Sequence, residues 1–143
     1  MWKPMKRMCQ CALLMACGLT AQAPDLALVV NKANPVTTLT RAQARKLLTG
    51  AQAKWPGGEK VVLILPPPGA PERSEALRRY CGMTEQLFSA DLIHANFVGE
   101  ERVTPQTMPN SRAILGVVQL VPGAIGVVAQ GQNMDLVKVI HVE

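Results

Sequence analysis

The chain has 143 residues and a formal net charge of +5, a length that fits one domain. Three of the positive charges, Lys3, Lys6 and Arg7, precede an apolar run, and no acidic residue lies before Asp25. Residues 24–143 therefore carry 12 basic and 10 acidic side chains. This nearly neutral balance argues against a nucleic-acid-binding protein.

Residues 1–23 have the features of a secretory signal peptide. The basic residues are followed by the apolar stretch Met8–Leu19, which is too short to span a bilayer. The segment Ala21-Gln22-Ala23 has the small-x-small form of a signal-peptidase site, although Pro24 directly after the cut is a poor residue for cleavage. We therefore expect the chain to be exported and residues 24–143 to form the mature domain.

The sequence is also compatible with a second route of signal-peptide processing. Leu14–Gly18 resembles a bacterial lipobox, in which Cys17 becomes the acylated amino terminus of the mature protein. The methionine at the second position of this motif is a weak match. Simple cleavage after Ala23 is the favoured expectation, and lipid anchoring through Cys17 is the alternative.

Predicted strands and helices alternate along the rest of the chain. Apolar runs with β-branched residues predict buried strands at Asp25–Asn31, Lys60–Leu65, Ala124–Val128 and Leu136–Val142. Capping residues followed by helix formers predict helices at Thr40–Leu48, Glu72–Tyr80, Thr84 to about Ala95, and from Asn110 or Ser111 to Leu120. The alternation predicts one α/β domain with a mixed, mostly parallel and largely buried sheet flanked by helices.

The common catalytic and cofactor motifs are absent from the sequence. It contains no dinucleotide-binding glycine fingerprint, phosphate-binding P-loop, zinc-protease motif or nucleophile elbow. His94 and His141 share no metal-ligand spacing, so each is predicted to be a partly buried structural residue. Cys81 lies in an apolar pattern and is predicted to be a core residue. We expect a protein that is not an enzyme and has neither cofactor nor metal.

One predicted loop has features that suit anion binding. The predicted strand Lys60–Leu65 leads through the rigid loop Pro66–Pro71 into the start of a helix. Free backbone N–H groups and the helix dipole favour an anion at such a position. Arg73 would add a two-pronged contact to a phosphate, sulfate or carboxylate group. An ordinary βα loop with a solvated Arg73 is the alternative.

Three segments resemble the substrate-binding proteins of phosphate transporters. Asp25–Asn31 with Asn34-Pro35 is similar to their A-x-I-V-N-x-x-N-P strand, and Leu39–Gly50 with Trp55 resembles their following helix and turn. Val121–Val128 resembles their x-P-G-A-I-G-Y-V element. The resemblance is greatest to a short, one-domain branch of the family. It implies a periplasmic location and a single lobe of the type 2 periplasmic-binding-protein fold.

The resemblance also implies a ligand loop, in which this chain departs from the family. Where the short branch has Gly-Ser-Pro-x-Arg, Gly69 and Arg73 are kept but Ala70 replaces the serine. Ala70 has no side-chain donor, three consecutive prolines before Gly69 remove backbone donors, and Glu72 adds a negative charge. Tight phosphate binding is therefore not expected.

The predicted function is that of a periplasmic solute-binding-like protein with a small oxyanion, such as phosphate, as its ligand. The candidate site residues are Gly69, Ala70, Arg73 and Ser74 in the loop and Ser111 and Arg112 at a later helix start. The alternative is an interaction module without a ligand, which docks a membrane transporter, a membrane sensor or a second copy of itself. The sequence leaves the oligomeric state open.

Overall fold

The computed structural model describes residues 25–143. The predicted signal peptide and the alternative processing site at Cys17 lie outside the described residues. The strands are β1 (Leu26–Val30), β2 (Thr38–Leu39), β3 (Val62–Leu65), β4 (Gln106–Thr107), β5 (Ala124–Ala129) and β6 (Lys138–Val142). The helices are α1 (Arg41–Leu48), α2 (Pro71–Ala76), α3 (Glu85–Phe97) and α4 (Ser111–Leu120), and a π-helical turn, Leu77–Cys81, continues α2.

All six strands form one sheet in the order β2-β6-β1-β5-β3-β4. β1 is antiparallel to both of its neighbours, β5 and β6. The pairs β2–β6, β3–β5 and β3–β4 are parallel, so the other five strands run in one direction. The prediction of a mixed, mostly parallel sheet is confirmed. The two edge strands, β2 and β4, are not predicted by the sequence because two residues carry no alternation pattern.

The side chains of β1 alternate between two layers of core. Leu28 and Val30 pack in a cluster with apolar residues of α1, α2, the π-helical turn and α3. Ala27 and Val29 pack on the opposite face in a smaller cluster with α4. Cys81 is buried in the larger cluster, as predicted. Within residues 25–143, no helix is long and apolar enough to cross a membrane.

The predicted capping residues begin three of the helices. Thr40 forms the expected capping box with Gln43: its hydroxyl accepts from the Gln43 N–H and its own N–H donates to the Gln43 side chain. Thr84 caps α3 and Asn110 caps α4. The helix after Pro71 ends at Gly82, which adopts a φ of +63° as a left-handed cap.

Two histidine predictions are wrong in their burial. His94 and His141 are both exposed, not partly buried. His94 lies on the outer side of α3, where apolar residues such as Ile93 are also exposed, so the sequence pattern does not identify the buried side. His141 lies on β6, whereas α4 contacts β1 and β5 and leaves that face of β6 open.

Gly123 permits the closest approach between β5 and the chain that enters β3. A Cβ atom at this position would overlap the backbone carbonyl of Lys60. The carbonyl oxygen of Gly123 accepts from the Val62 N–H at 3.0 Å and from the buried indole N–H of Trp55 at 2.9 Å. The backbone at position 123 thus connects the start of β5 to β3 and to the Trp55 turn, and only glycine permits this close approach.

The substitution Gly123→Ala is expected to lower the free energy of unfolding by about 1–3 kcal/mol, because the added methyl group forces backbone apart. Gly116→Ala is the matched control, since a Cβ there meets nothing within 4 Å and the position is exposed on α4. That control should stabilise the protein by roughly 0.5–1 kcal/mol. Urea unfolding measures both, and a Gly123→Ala variant as stable as the parent would contradict the packing described.

Candidate functional site

A cleft of about 430 Å³ lies at the carboxyl ends of the parallel strands β3 and β5. The chain leaves β3 through Pro66 and Pro67 and enters α2, and the first turn of α4 lies opposite. Residues that follow β5 complete the wall. In open α/β sheets, this edge is where ligands bind, because the helix starts and loops that follow parallel strands converge there.

The first turn of α4 supplies several polar groups to the cleft. The side chain of Asn110 caps the helix by accepting from the Ala113 N–H at 2.9 Å. The hydroxyl oxygen of Ser111 accepts from the Ala129 N–H at 3.1 Å, which leaves its proton free to donate. The N–H groups of Ser111 and Arg112 belong to the first helical turn and have no acceptor within the helix. Arg112 is exposed at the cleft and forms no ion pair with any residue of 25–143.

The start of α2 forms the opposite wall. Ala70 is the N-cap residue and provides no side-chain acceptor, and Pro71 occupies the first helical position. The N–H groups of Glu72 and Arg73 in the first turn are therefore uncapped by any side chain. Gly69 makes the turn before the helix with a φ of +91°, which favours glycine. Alanine at position 70 thus leaves exposed the backbone donors that a serine hydroxyl group at the N-cap could satisfy.

The side chain of Arg73 is buried behind the loop and faces α3. Its Nε and Nη2 atoms donate to the two carboxylate oxygens of Glu85 at 2.8 and 2.7 Å, and its Nη1 atom donates to the Pro66 carbonyl at 3.2 Å. The guanidinium also lies 5.5 Å from the ring centroid of Phe88. These contacts engage all three nitrogen atoms of the guanidinium, and Arg73 is not among the residues that line the cleft.

The structure brings together three of the six predicted site residues. Ala70, Ser111 and Arg112 line the cleft, whereas Gly69, Arg73 and Ser74 do not. Gln132 also lines it, and the sequence does not predict this residue because it follows β5 in a loop without a motif. Gln132 could have been predicted from its position in the sequence, because it closely follows the strand β5. A polar side chain in such a position lies at the same edge of the sheet as the helix starts.

The cleft has one cationic and one anionic side chain, Arg112 and Glu72. The remaining electrostatic contribution comes from the amino-terminal ends of α2 and α4, where helix dipoles place partial positive charge. Within residues 25–143, no group of three or more His, Cys, Asp and Glu side chains is arranged to hold a metal ion. The groups present suit hydrogen bonding to a small anion.

The fold of residues 25–143 is similar to part of the fold of solved phosphate transport receptors and phosphate-binding proteins. An ABC-type phosphate transport receptor from Vibrio cholerae matches with a TM-score of 0.65 and 23% identity over 83% of this chain and 46% of the receptor. PstS from Borrelia burgdorferi matches with a TM-score of 0.67 and 14% identity over 84% of this chain and 47% of PstS.

A third structure has a ligand. A Clostridium perfringens protein assigned as a phosphate ABC transporter substrate-binding protein, with bound phosphate, matches with a TM-score of 0.60 and 24% identity over 83% of this chain and 45% of its own. The chain thus spans less than half the length of the solved structures that it resembles. No protein-family model and no curated protein matches the sequence.

The substitution Glu85→Gln tests the role of Arg73. It removes the charge that compensates a buried guanidinium, and we expect the free energy of unfolding to fall by about 1–3 kcal/mol. Glu59→Gln is the control because Glu59 is exposed and forms no ion pair within residues 25–143. The control should change stability by less than about 0.5 kcal/mol. A free energy of unfolding for Glu85→Gln equal to that of the parent would contradict a stabilising role for this pair.

Proposed function

We propose that this chain is a periplasmic solute-binding-type domain and that its cleft binds a small oxyanion of the phosphate class. The observation that carries the proposal is the convergence of Arg112, the Ser111 hydroxyl and uncapped first-turn N–H groups at the carboxyl ends of β3 and β5. The fold likeness to a protein with bound phosphate supports the same ligand class. We propose a binding protein and not an enzyme.

The proposed contacts divide between the two walls of the cleft. Arg112 donates two parallel hydrogen bonds to the anion, and Ser111 donates its hydroxyl proton. The uncapped N–H groups of Glu72 and Arg73 donate from the α2 side. Arg73 thus contributes through its backbone, while its side chain holds the loop through Glu85 and Pro66. Gly69, in the loop, and Ser74, in α2, do not line the cleft, and we propose no ligand contact for either.

Glu72 gives the proposed site a basis for selectivity. Its carboxylate repels a fully ionised anion such as sulfate. It accepts a hydrogen bond from a protonated oxyanion, and hydrogen phosphate has an O–H group at neutral pH. We therefore propose that the cleft prefers phosphate to sulfate and binds both weakly.

Calorimetric titration with inorganic phosphate tests the proposal. Arg112→Gln should weaken binding by roughly ten- to a hundred-fold, the cost of a hydrogen bond between charged groups. Lys54→Gln, which removes an exposed charge outside the cleft, should leave the affinity within about two-fold of the parent. Glu72→Gln should reduce the preference for phosphate over sulfate. The absence of both heat and a shift in Tm at millimolar phosphate would refute the ligand claim.

The alternative function, an interaction module, has one observation in its favour. The outer side of α3 exposes Ile93 and Phe97 at 70% and 90%, and a protein partner is the usual reason for an exposed apolar patch. Light scattering after size exclusion separates the two functions. A monomer that binds phosphate favours the solute-binding domain, whereas a dimer or larger complex without phosphate binding favours docking.

The export route is a further part of the proposal. We propose that a signal peptide directs the chain to the periplasm, where a membrane transporter or sensor is its partner. Mass spectrometry of the mature protein should find an amino terminus at Pro24, the result of cleavage after Ala23. A diacylglyceryl mass on Cys17 would instead identify a membrane-tethered protein, and an intact Met1 would contradict export.

A further inference from the structure

A second cleft, of about 440 Å³, lies between α1 and the π-helical turn. Arg41 and Arg45 line it from α1, and Arg78, Arg79 and Tyr80 line it from the π-helical turn. It shares no lining residue with the cleft at the strand ends. We call this second site the arginine cleft.

The local structure explains why so many cationic side chains meet there. Arg41 and Arg45 are one turn apart and therefore lie on the same side of α1. The π-helical turn Leu77–Cys81 is wider than an α-helical turn, and all of the consecutive residues 78–82 line the cleft. π-Helical turns are rare and are frequent at functional sites.

One carboxylate anchors two of the arginines. Glu75, whose side chain is 8% exposed, accepts from Arg78 at 2.7 and 3.0 Å and from Arg79 at 3.0 and 3.2 Å. The hydrogen bonds from Arg78 are the main cause that lowers the pKa of Glu75, so this carboxylate stays ionised at neutral pH. The pairing fixes both guanidinium groups while leaving the Nη1 atom of each free to donate.

The charge of the arginine cleft is unbalanced. Within residues 25–143, neither Arg41 nor Arg45 forms a side-chain ion pair, and the residues that line the cleft include four arginines and no acidic side chain. Three acidic residues lie beside this lining: Glu75 pairs with Arg78 and Arg79, Asp91 lines a neighbouring pocket with Arg45, and the backbone oxygen of Glu143 accepts from the Arg41 N–H at 3.2 Å. Cys81 adds no negative charge, because burial raises the pKa of its thiol to about 11. Residues 24–143 are nearly neutral as a whole, so the four arginines of this lining are a local concentration of positive charge. A concave surface of one sign focuses the electrostatic potential on its interior.

We propose that the arginine cleft binds a small anion with two or more negative charges, of the pyrophosphate class. Four guanidinium groups around one concavity offer paired donors that match phosphate and carboxylate oxygens. The volume is in the range of sites for small molecules. An anion with several charges neutralises the mutual repulsion of the arginines, which a singly charged anion does only in part. The proposal does not depend on the function proposed for the first cleft.

Calorimetric titration with inorganic pyrophosphate at physiological salt tests the inference. The double variant Arg41→Gln/Arg45→Gln should weaken binding at least ten-fold, because it removes both unpaired guanidinium groups. It should remain folded, since both side chains are exposed. Lys54→Gln/Lys60→Gln is the matched control, with the same change in net charge at exposed positions outside the cleft. The control should bind pyrophosphate within two-fold of the parent.

Four outcomes would overturn the inference. Equal weakening by both double variants would mean that pyrophosphate responds only to overall charge. Loss of binding in Arg112→Gln would place pyrophosphate in the first cleft. Absence of heat at millimolar pyrophosphate would exclude the ligand class. Binding to vesicles that contain phosphatidylglycerol, without binding to pyrophosphate, would assign the arginines to a membrane surface. Failure of phosphate binding alone leaves these outcomes unaffected.

Discussion

The ion pair between Arg73 and Glu85 is the contact on which the cleft at the strand ends depends. It joins three elements, because the same guanidinium reaches the end of β3 at Pro66, the body of α2 and the first turn of α3. Burial of this charge is costly, and the paired hydrogen bonds, the carbonyl contact and the Phe88 ring offset that cost. With Arg73 held in this way, the uncapped start of α2 faces the cleft and Arg112 is the one cationic side chain among the described residues that line it.

The sequence predicts the order of elements better than the directions of side chains. Capping residues such as Thr40 and Asn110 act within three residues, so local pattern is enough to locate them. The sequence also predicts a cation at position 73, but its direction depends on Glu85, which is twelve residues away in another helix. The two-residue strands β2 and β4 exist through pairing with distant strands and have no local signal.

The two clefts differ in how their charge is arranged. The cleft at the strand ends balances Arg112 against Glu72 and relies on backbone donors, a combination suited to weak and selective recognition. The arginine cleft relies on guanidinium groups and has an excess of positive charge. The second arrangement is more sensitive to salt, because exposed charges are screened whereas hydrogen bonds from fixed backbone groups are much less so. Ionic strength would therefore distinguish anion binding at the two proposed sites.

The position of β1 has a consequence for how the protein reaches its folded state. β1 lies between β5 and β6, so the first strand of the domain pairs only with the last two. Its register partners are about a hundred residues away, as in the pair Leu26 and Ala129. Such non-local pairing slows folding, because a long loop must close before its contacts form. The centre of the sheet therefore cannot assemble until β5 and β6 have been synthesised, and β1 stays unpaired until then.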